Sequence, residues 1–274
     1  SPEIIFHLAA QPLVRESYLN PVDTWSTNVM GTISILEAAR AMNKRAIFIG
    51  ITTDKVYQNK EWIYGYREID RLGGDDPYSS SKAASELAIN TWRKSFANNS
   101  KLIISSARAG NVIGGGDYAK DRIIPDIIRA FKNNSLLSLR NPNSTRPWQH
   151  VLEPLWGYIL LAEMMSSNPA FADAYNFGPG ISSNKTVLEL VQEFSKIIKV
   201  GLKIDKNQND LKESNLLNLV SEKARSKLNW QPIWNFEKTI SITASWYNKV
   251  INNNFNSFEC CVDDITEFMR LQNK

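Results

Sequence analysis

Tyr78 and Lys82 lie four residues apart in a stretch with helical spacing, so their side chains share one helix face and run the same way. An ammonium held beside a phenol favours the phenolate, which makes tyrosine a base able to take a proton from an alcohol. Taken alone, Tyr-x-x-x-Lys occurs on many surface helices and carries little weight. A second group upstream changes the balance. Thr53, Asp54 and Lys55 follow the apolar run Ala46-Ile47-Phe48-Ile49-Gly50-Ile51, which puts a hydroxyl, a carboxyl and an amine at the carboxyl end of a strand. In open α/β sheets that edge faces the ligand crevice. Thr and Asp also suit a plain turn or cap there, with Lys55 simply solvated. Together with Tyr78 and Lys82 they read as a proton-transfer site.

The elements that must position these residues follow from apolar patterning. Ile4-Ile5-Phe6-His7-Leu8, Ala46 to Ile51 and Leu102 to Ala107 are short apolar runs of the kind buried parallel strands show. Between them, Val22 to Met42 (with Thr27, Thr32, Ile35, Leu36 and Ala39 on one side) and Tyr78 to Ala97 have helical spacing. Such alternation predicts an α/β fold, a doubly wound parallel sheet with helices on both faces. From Gly114 the character changes. Gly114-Gly115-Gly116-Asp117 is a loop, Ile123 to Phe131 a helix, and Arg140 to Ser144 a turn-rich stretch. A helix from Glu153 to Met165 and a strand near Tyr175-Asn176-Phe177 return to the sheet. Thr186 to Lys199 and Ser221 to Tyr247 form a smaller C-terminal lobe, its core filled by Trp230, Trp234 and Trp246. A short terminal helix follows the Asn252-Asn253-Asn254 loop. The expected division is residues 1–116, rejoined by 150–180, against 117–149 and 181–274. No G-x-G-x-x-G turn follows any early strand, and Gly114-Gly115-Gly116 stands too late in the chain to be one.

Bulk properties exclude several classes. The net charge of +4 arises from Lys and Arg interspersed with Asp and Glu, which gives no basic face for nucleic acid. The longest apolar stretches, such as Ile159-Leu160-Leu161-Ala162, are too short to span a membrane. The opening Ser1-Pro2-Glu3-Ile4-Ile5-Phe6 lacks the cationic segment of a signal peptide. Cys260 and Cys261 are adjacent, a poor arrangement for a structural disulfide, and predict a reducing, cytoplasmic setting. His7 and His150 sit in apolar or aromatic company and read as packed residues. No His/Cys/Asp cluster has metal-site spacing, so no metal is expected.

Longer blocks carry a resemblance. His7-Leu8-Ala9-Ala10-Gln11-Pro12-Leu13-Val14-Arg15-Glu16-Ser17-Tyr18 and Thr27-Asn28-Val29-Met30-Gly31-Thr32 are similar to the extended short-chain dehydrogenase/reductases of the NAD-dependent epimerase/dehydratase kind. With Thr53-Asp54-Lys55, Tyr66-Arg67-Glu68 and Leu72 to Lys82, the chain more narrowly resembles the CDP-glucose 4,6-dehydratase family. Ala107 to Asp117, Arg146 to Leu155 and Trp230-Gln231-Pro232 continue the match in order. Tyr118 stands where that family usually has Trp, and the tail from Cys260 to Lys274 fits loosely.

The resemblance implies a Rossmann-like fold that opens at the family's fourth strand, on the order of 60–80 residues after the usual start. It implies NAD as cofactor, met by Ala9, Ala10, Gln11, Asn28, Tyr78 and Lys82. A nucleotide sugar is the implied substrate, met by Arg15, Asn111, Arg122 and Arg146, and the implied assembly is a homo-oligomer, a dimer or tetramer paired through long helices flanking the sheet. It also implies a place in deoxysugar biosynthesis for O-antigen lipopolysaccharide. In the implied chemistry Tyr78, helped by Lys82 and Thr53, takes the C4 hydroxyl proton while C4 hydride leaves for NAD. Lys55 then removes the C5 proton, and Asp54 protonates the departing C6 hydroxyl. Two alternatives stand beside this reading. One is a dehydratase or epimerase for another nucleotide sugar, although an epimerase has no use for an acid and base at positions 54 and 55. The other is an inactive nucleotide-sugar-binding fragment, since the Gly-rich segment is missing.

An ordinary lysine titrates near about 10.4, so a base at this position needs a desolvated, cation-rich setting. Lys55→Ala is expected to abolish solvent exchange at C5 while leaving C4 oxidation partly intact. Deuterium incorporation followed by NMR checks this, and full turnover by the variant refutes the role.

Overall fold

The computed structural model describes residues 1–96, 101–204 and 216–272. In chain order the first half holds β1 (Ile4–His7), α1 (Val14–Leu19), α2 (Pro21–Trp25), α3 (Gly31–Ala41), β2 (Ala46–Thr53), α4 (Pro77–Phe96), β3 (Leu102–Ala109), β4 (Val112–Ile113) and α5 (Ile123–Lys132). There follow β5 (Leu137–Leu139), β6 (Thr145–Pro147), β7 (Gln149–His150), α6 (Leu152–Ser167), β8 (Ala174–Phe177), β9 (Asn184–Thr186) and α7 (Val187–Phe194). The chain continues through β10 (Leu202–Ile204), α8 (Glu222–Leu228), α9 (Phe236–Asn252) and α10 (Ser257–Gln272). Ala97, the expected end of the helix that begins near Tyr78, lies outside the described residues.

The residues pack as two compact units. The first comprises Ser1–Gly110, Leu155–Gly178 and Leu217–Gln231; the second comprises Asn111–Pro154, Pro179–Leu216 and Pro232–Lys274.

In the first unit β1, β2, β3 and β8 form a parallel sheet in the order β1-β2-β3-β8. The register puts Ala46, Phe48, Thr52, Leu102, Ile104, Ser106, Arg108 and Asn176 on one face. There α3 and α4 bring Leu36, Ala39 and Ile89 against Ala46, Phe48, Leu102 and Ile104. Each large apolar side chain so buried contributes about 1.5–3 kcal/mol. The opposite face carries Ile47, Ile49, Ala107, Tyr175 and Phe177. Phe177 meets Tyr158 of α6 edge-on at 5.6 Å and Trp230 at 5.1 Å. Helices thus cover both faces, as the alternation predicts. β1 is the sheet edge, with Ile4 and Phe6 exposed.

Three expectations need correction. The stretch Leu217–Gln231 packs with the first unit and not with the smaller lobe. Asn176 Nδ2 donates to Val220 O at 3.0 Å, Gly178 N donates to Ser221 Oγ at 2.8 Å, and Trp230 seals the sheet through Phe177. Trp230 therefore belongs to a different core from Trp234 and Trp246. The expected helix from Val22 to Met42 is interrupted by a π-helical turn, Ser26–Met30. The terminal helix α10 runs for 16 residues, with Cys260 and Phe268 buried and Phe268 edge-on to Trp234 at 5.1 Å.

In the second unit α5, α7 and α9 contribute Ile124, Ile127, Leu190, Phe194, Ile240 and Trp246 to one core. Thr186 and Glu189 close a reciprocal capping box on α7. Gly115 lies flat on Trp246: a Cβ there would stand 2.1 Å from the indole ring. The glycine run thus serves backbone packing here. Nearby, the Glu153 carboxylate is fully buried and accepts from Trp234 N at 2.7 Å and Ile233 N at 3.1 Å.

Burial pushes Glu153 up to about 7 despite those two amides. An acid whose pKa is raised on folding stabilises the fold only while it is protonated, so this contribution is complete below about 4.5 and gone above about 7. The Tm of wild type relative to Glu153→Gln should therefore be highest at about pH 4.5 and fall steadily by about pH 8, as the buried acid ionises in wild type alone. A constant difference in Tm between the two proteins across that range refutes the assignment.

Candidate functional site

The strand β2 ends in a tight 3-10 turn, Asp54–Val56, and its geometry fixes the first chemical group. Thr53 is the cap: its hydroxyl accepts from Lys55 N at 3.3 Å and donates to Asp54 Oδ1 at 2.9 Å. Asp54 is 1% exposed, an unusual place for a carboxylate. Its seat exists because residue 110 is glycine. A Cβ on Gly110 would fall 1.9 Å from Asp54 Oδ2, where side-chain contacts begin at 3.0 Å. Lys55, next in the turn, is partly exposed.

The second group rides on α4. Asp76 caps this helix by accepting from Ser79 N at 2.9 Å, Pro77 takes the first helical position, and Ser17 Oγ accepts from Tyr78 N at 3.1 Å. Tyr78 and Lys82 are both buried on the same helix face. Lys82 Nζ donates to Ile51 O at 3.1 Å, and α4 packs against the Asp54–Val56 turn. The two clusters singled out in the sequence are thereby brought to one end of the sheet. Burial lowers Lys82 to about 8, with Glu86 opposing the shift. At neutral pH its ammonium form still predominates.

Asn28 sits at the centre of the π turn and is 1% exposed. Its side chain accepts from Gln11 N at 2.8 Å and donates to Gln11 O at 3.1 Å and Ser81 Oγ at 2.9 Å. The widened turn presents the Asn28 carbonyl to Thr32 Oγ1 at 2.6 Å and Ser85 Oγ at 2.8 Å. Asn28 thus ties the loop after β1, which carries Ala9, Ala10 and Gln11, to α4. His7 Nε2 meets Thr32 Oγ1 at 3.1 Å, the packed role expected of it. Arg15 lies on α1 in this same unit.

Asn111, Arg122 and Arg146 all belong to the second unit. Asn111 has φ of 51°, a left-handed conformation that Asn tolerates, and its carbonyl accepts from Gln149 N at 3.3 Å. Arg122 caps the start of α5 and pairs with Asp117 at 3.5 Å. Arg146 on β6 is buried and donates to Thr145 O at 2.8 Å. His150 is buried, accepts from Leu152 N at 3.3 Å through Nδ1, and is driven by burial down to about 3. Among the described residues no group of three or more His, Cys, Asp or Glu is placed to hold a metal ion, and no helix is long and apolar enough to cross a membrane.

Sequence reasoning missed Glu86, Arg108 and Gly110. Two signals were present: Glu86 extends the Tyr78–Lys82 spacing by another four residues, and Arg108 is the one charge in the strand Leu102–Ala109. Neither reveals its partner.

The model of the GDP-mannose 4,6 dehydratase family matches residues 1–243. The chain belongs to that family. It is 43% identical to CDP-glucose 4,6-dehydratase of Salmonella typhimurium over 98% of this chain and 76% of that protein. A solved structure of DesIV, a dTDP-glucose 4,6-dehydratase from Streptomyces venezuelae with NAD and TYD bound, superposes with a TM-score of 0.78 at 21% identity, covering 90% of this chain and 73% of that one. UDP-glucuronic acid 4-epimerase from Bacillus cereus, in complex with UDP-glucuronic acid and NAD, gives 0.78 at 20% identity over 90% and 76%. The Rossmann-like sheet is thus common to dehydratases and epimerases, and the fold alone does not separate the two activities.

Gly110→Ala is expected to drive the Asp54 carboxylate from its seat by roughly one ångström or more, since the interior has no slack to absorb the methyl. A crystal structure of the variant reads this directly. An unmoved Asp54 refutes the dependence of one residue on the other.

Proposed function

We propose that this chain carries out NAD-dependent 4,6-dehydration of a nucleotide sugar, with CDP-glucose as substrate and a 4-keto-6-deoxy sugar plus water as products. The observation that carries the reading is the pairing of a buried Asp54 and an adjacent Lys55 with the Tyr78–Lys82 face of α4. Tyr and Lys suffice for moving a proton off a hydroxyl during redox. An acid and a second base beside them are what elimination of water requires. The 43% identity to the Salmonella typhimurium enzyme supports the CDP-sugar assignment.

The cofactor's fit rests on three features. Ala9 and Ala10 offer small side chains just past β1, at the carboxyl edge where such sheets bind ligands. Lys82 donates one hydrogen bond to Ile51 O and, with three ammonium hydrogens, has others for a ribose. Gln11 and Asn28 fix the loop between them. When bound, NAD supplies a hydride acceptor that later serves as donor. Tyr78 accepts the C4 hydroxyl proton, with Lys82 holding positive charge next to it on the helix. The ketone at C4 acidifies the proton on C5, which Lys55 removes. Asp54, held by Thr53, hands a proton to the C6 hydroxyl as it departs. We assign NAD to the first unit; Arg15 there, and Asn111, Arg122 and Arg146 in the second unit, are each read as nucleotide-sugar contacts.

We further propose that the protein is a homodimer. Val22, Trp25 and Met30 are exposed and line an open apolar pocket of about 450 Å³ with Pro21, Ser26 and Val29. None of these is a predicted catalytic residue, and an apolar helical surface of this kind suits a second copy. Cys260 and Cys261, both free, suit a reducing cytoplasm.

Incubating the full-length protein with CDP-glucose and, separately, dTDP-glucose tests the reading. A 4-keto product from CDP-glucose and little or none from dTDP-glucose is expected. A C4 epimer without loss of water refutes dehydration, and a strong preference for dTDP-glucose refutes the assigned base.

A further inference from the structure

The face of the sheet under α4 changes character along its length. Near the start of β2 and β3 it is apolar: Ala46, Phe48, Leu102 and Ile104 meet Leu36 and Ile89. Toward the carboxyl end the same face carries Thr52, Ser106 and Arg108, all buried, and all turned to one carboxylate. Glu86, on α4 one turn beyond Lys82, is 2% exposed. Its Oε1 accepts from Thr52 Oγ1 at 2.5 Å, and its Oε2 from Ser106 Oγ at 2.8 Å and Arg108 Nη2 at 2.7 Å. The contacts continue across the sheet. Arg108 Nη1 donates to Tyr57 OH at 2.8 Å, and Tyr57 OH donates to Asn176 Oδ1 at 2.7 Å.

Thr52 immediately precedes Thr53-Asp54-Lys55, and Tyr57 follows it after a single residue. Both flanks of the triplet are therefore bound to the same ion pair, one through Glu86 and the other through Arg108. Glu86 itself continues the Tyr78, Lys82 face by a further helical step. We propose that Glu86 and Arg108 are positioning residues: their pair clamps the helix bearing Tyr78 and Lys82 to the turn bearing Thr53, Asp54 and Lys55, and so sets the distance between the redox pair and the elimination pair.

Stability alone is a poor account of this arrangement. A buried ion pair gains little over apolar residues of similar volume, because removing two charges from water offsets their attraction. The apolar half of the same face shows that helix and sheet pack well without charges. What charged hydrogen bonds add is direction and length. Burial pushes the Glu86 carboxyl up, but Arg108, Thr52 and Ser106 outweigh it and hold it below its ordinary value, so the clamp is charged at neutral pH.

The proposal rests on the dehydratase reading for its catalytic consequence but not for its geometry, and the experiment separates the two. Thr52→Val removes one hydroxyl from the clamp with little change of volume, and Thr52→Ser restores it. In the full-length protein with NAD, Thr52→Val should lower kcat for 4-keto product by about 10- to 100-fold with KM nearly unchanged, the size of effect a small misplacement of catalytic groups produces. Thr52→Ser should recover most of the loss. Hydrogen–deuterium exchange should show the amides of 53–57 exchanging faster in Thr52→Val while those of β3 keep wild-type rates. Wild-type exchange in 53–57, or wild-type kcat in Thr52→Val, overturns the clamp. Failure of the wild-type protein to form any 4-keto sugar overturns the dehydratase reading instead, and the exchange measurement then decides the clamp by itself.

Discussion

The Glu86–Arg108 ion pair is held away from water between a helix and a parallel sheet, and much of the first unit's design answers to it. Taking two charges out of solvent costs several kcal/mol per ion, so each must be met by polar groups. That requirement accounts for hydroxyls and an amide in strands where apolar side chains would otherwise be expected: Thr52 on β2, Ser106 on β3 and Asn176 on β8. It also explains why Tyr57 is buried with its hydroxyl engaged at both sides. Loss of either charge would leave the other unpaired in the interior, at a cost of about 3–5 kcal/mol. The sheet tolerates a polar end because the apolar end, around Phe48 and Leu36, supplies the packing.

Much of this architecture was legible in the chain. The apolar runs at Ile4, Ala46 and Leu102 are strands, and the proton-handling residues do stand at their carboxyl edge. Helical spacing located α4 to within a residue at its start, where Asp76 and Pro77 open the helix. What escaped is information that no local window contains. The π turn at Ser26–Met30 has the same residue types as an ordinary helix; it becomes visible only through the partners of the Asn28 carbonyl. Leu217–Gln231 carries no mark of its unit, since its partners Asn176, Phe177 and Gly178 lie some 40 residues or more upstream. Glu86 and Gly110 likewise carry no local mark of their partners, Arg108 and Asp54.

The second unit repeats the theme of a buried acid with a different solution. Glu86 meets a cation and falls below its ordinary pKa, whereas Glu153, which accepts from the Ile233 and Trp234 amides, is pushed by burial up to about 7. The same side chain in two interiors is thus a fixed anion in one and a titratable group in the other. Arg108, joined by the Thr52 and Ser106 hydroxyls, outweighs the effect of burial at Glu86.

The π turn also constrains chain length. Successive residues of an α-helix are turned by about 100° around its axis. One residue fewer between Pro21 and Gly31 would let the segment wind as a regular helix, relieved of its wide turn, but everything upstream would be rotated by that amount. Asn28 would then leave Ser81 and Gln11, and the loop after β1 would lose its tie to α4. The number of residues in this segment is therefore set by what Asn28 must reach and not by helix stability. A relative that has given up the asparagine would be free to shed one residue here, so a gap at this place in a related sequence would signal a changed site before any catalytic residue was compared.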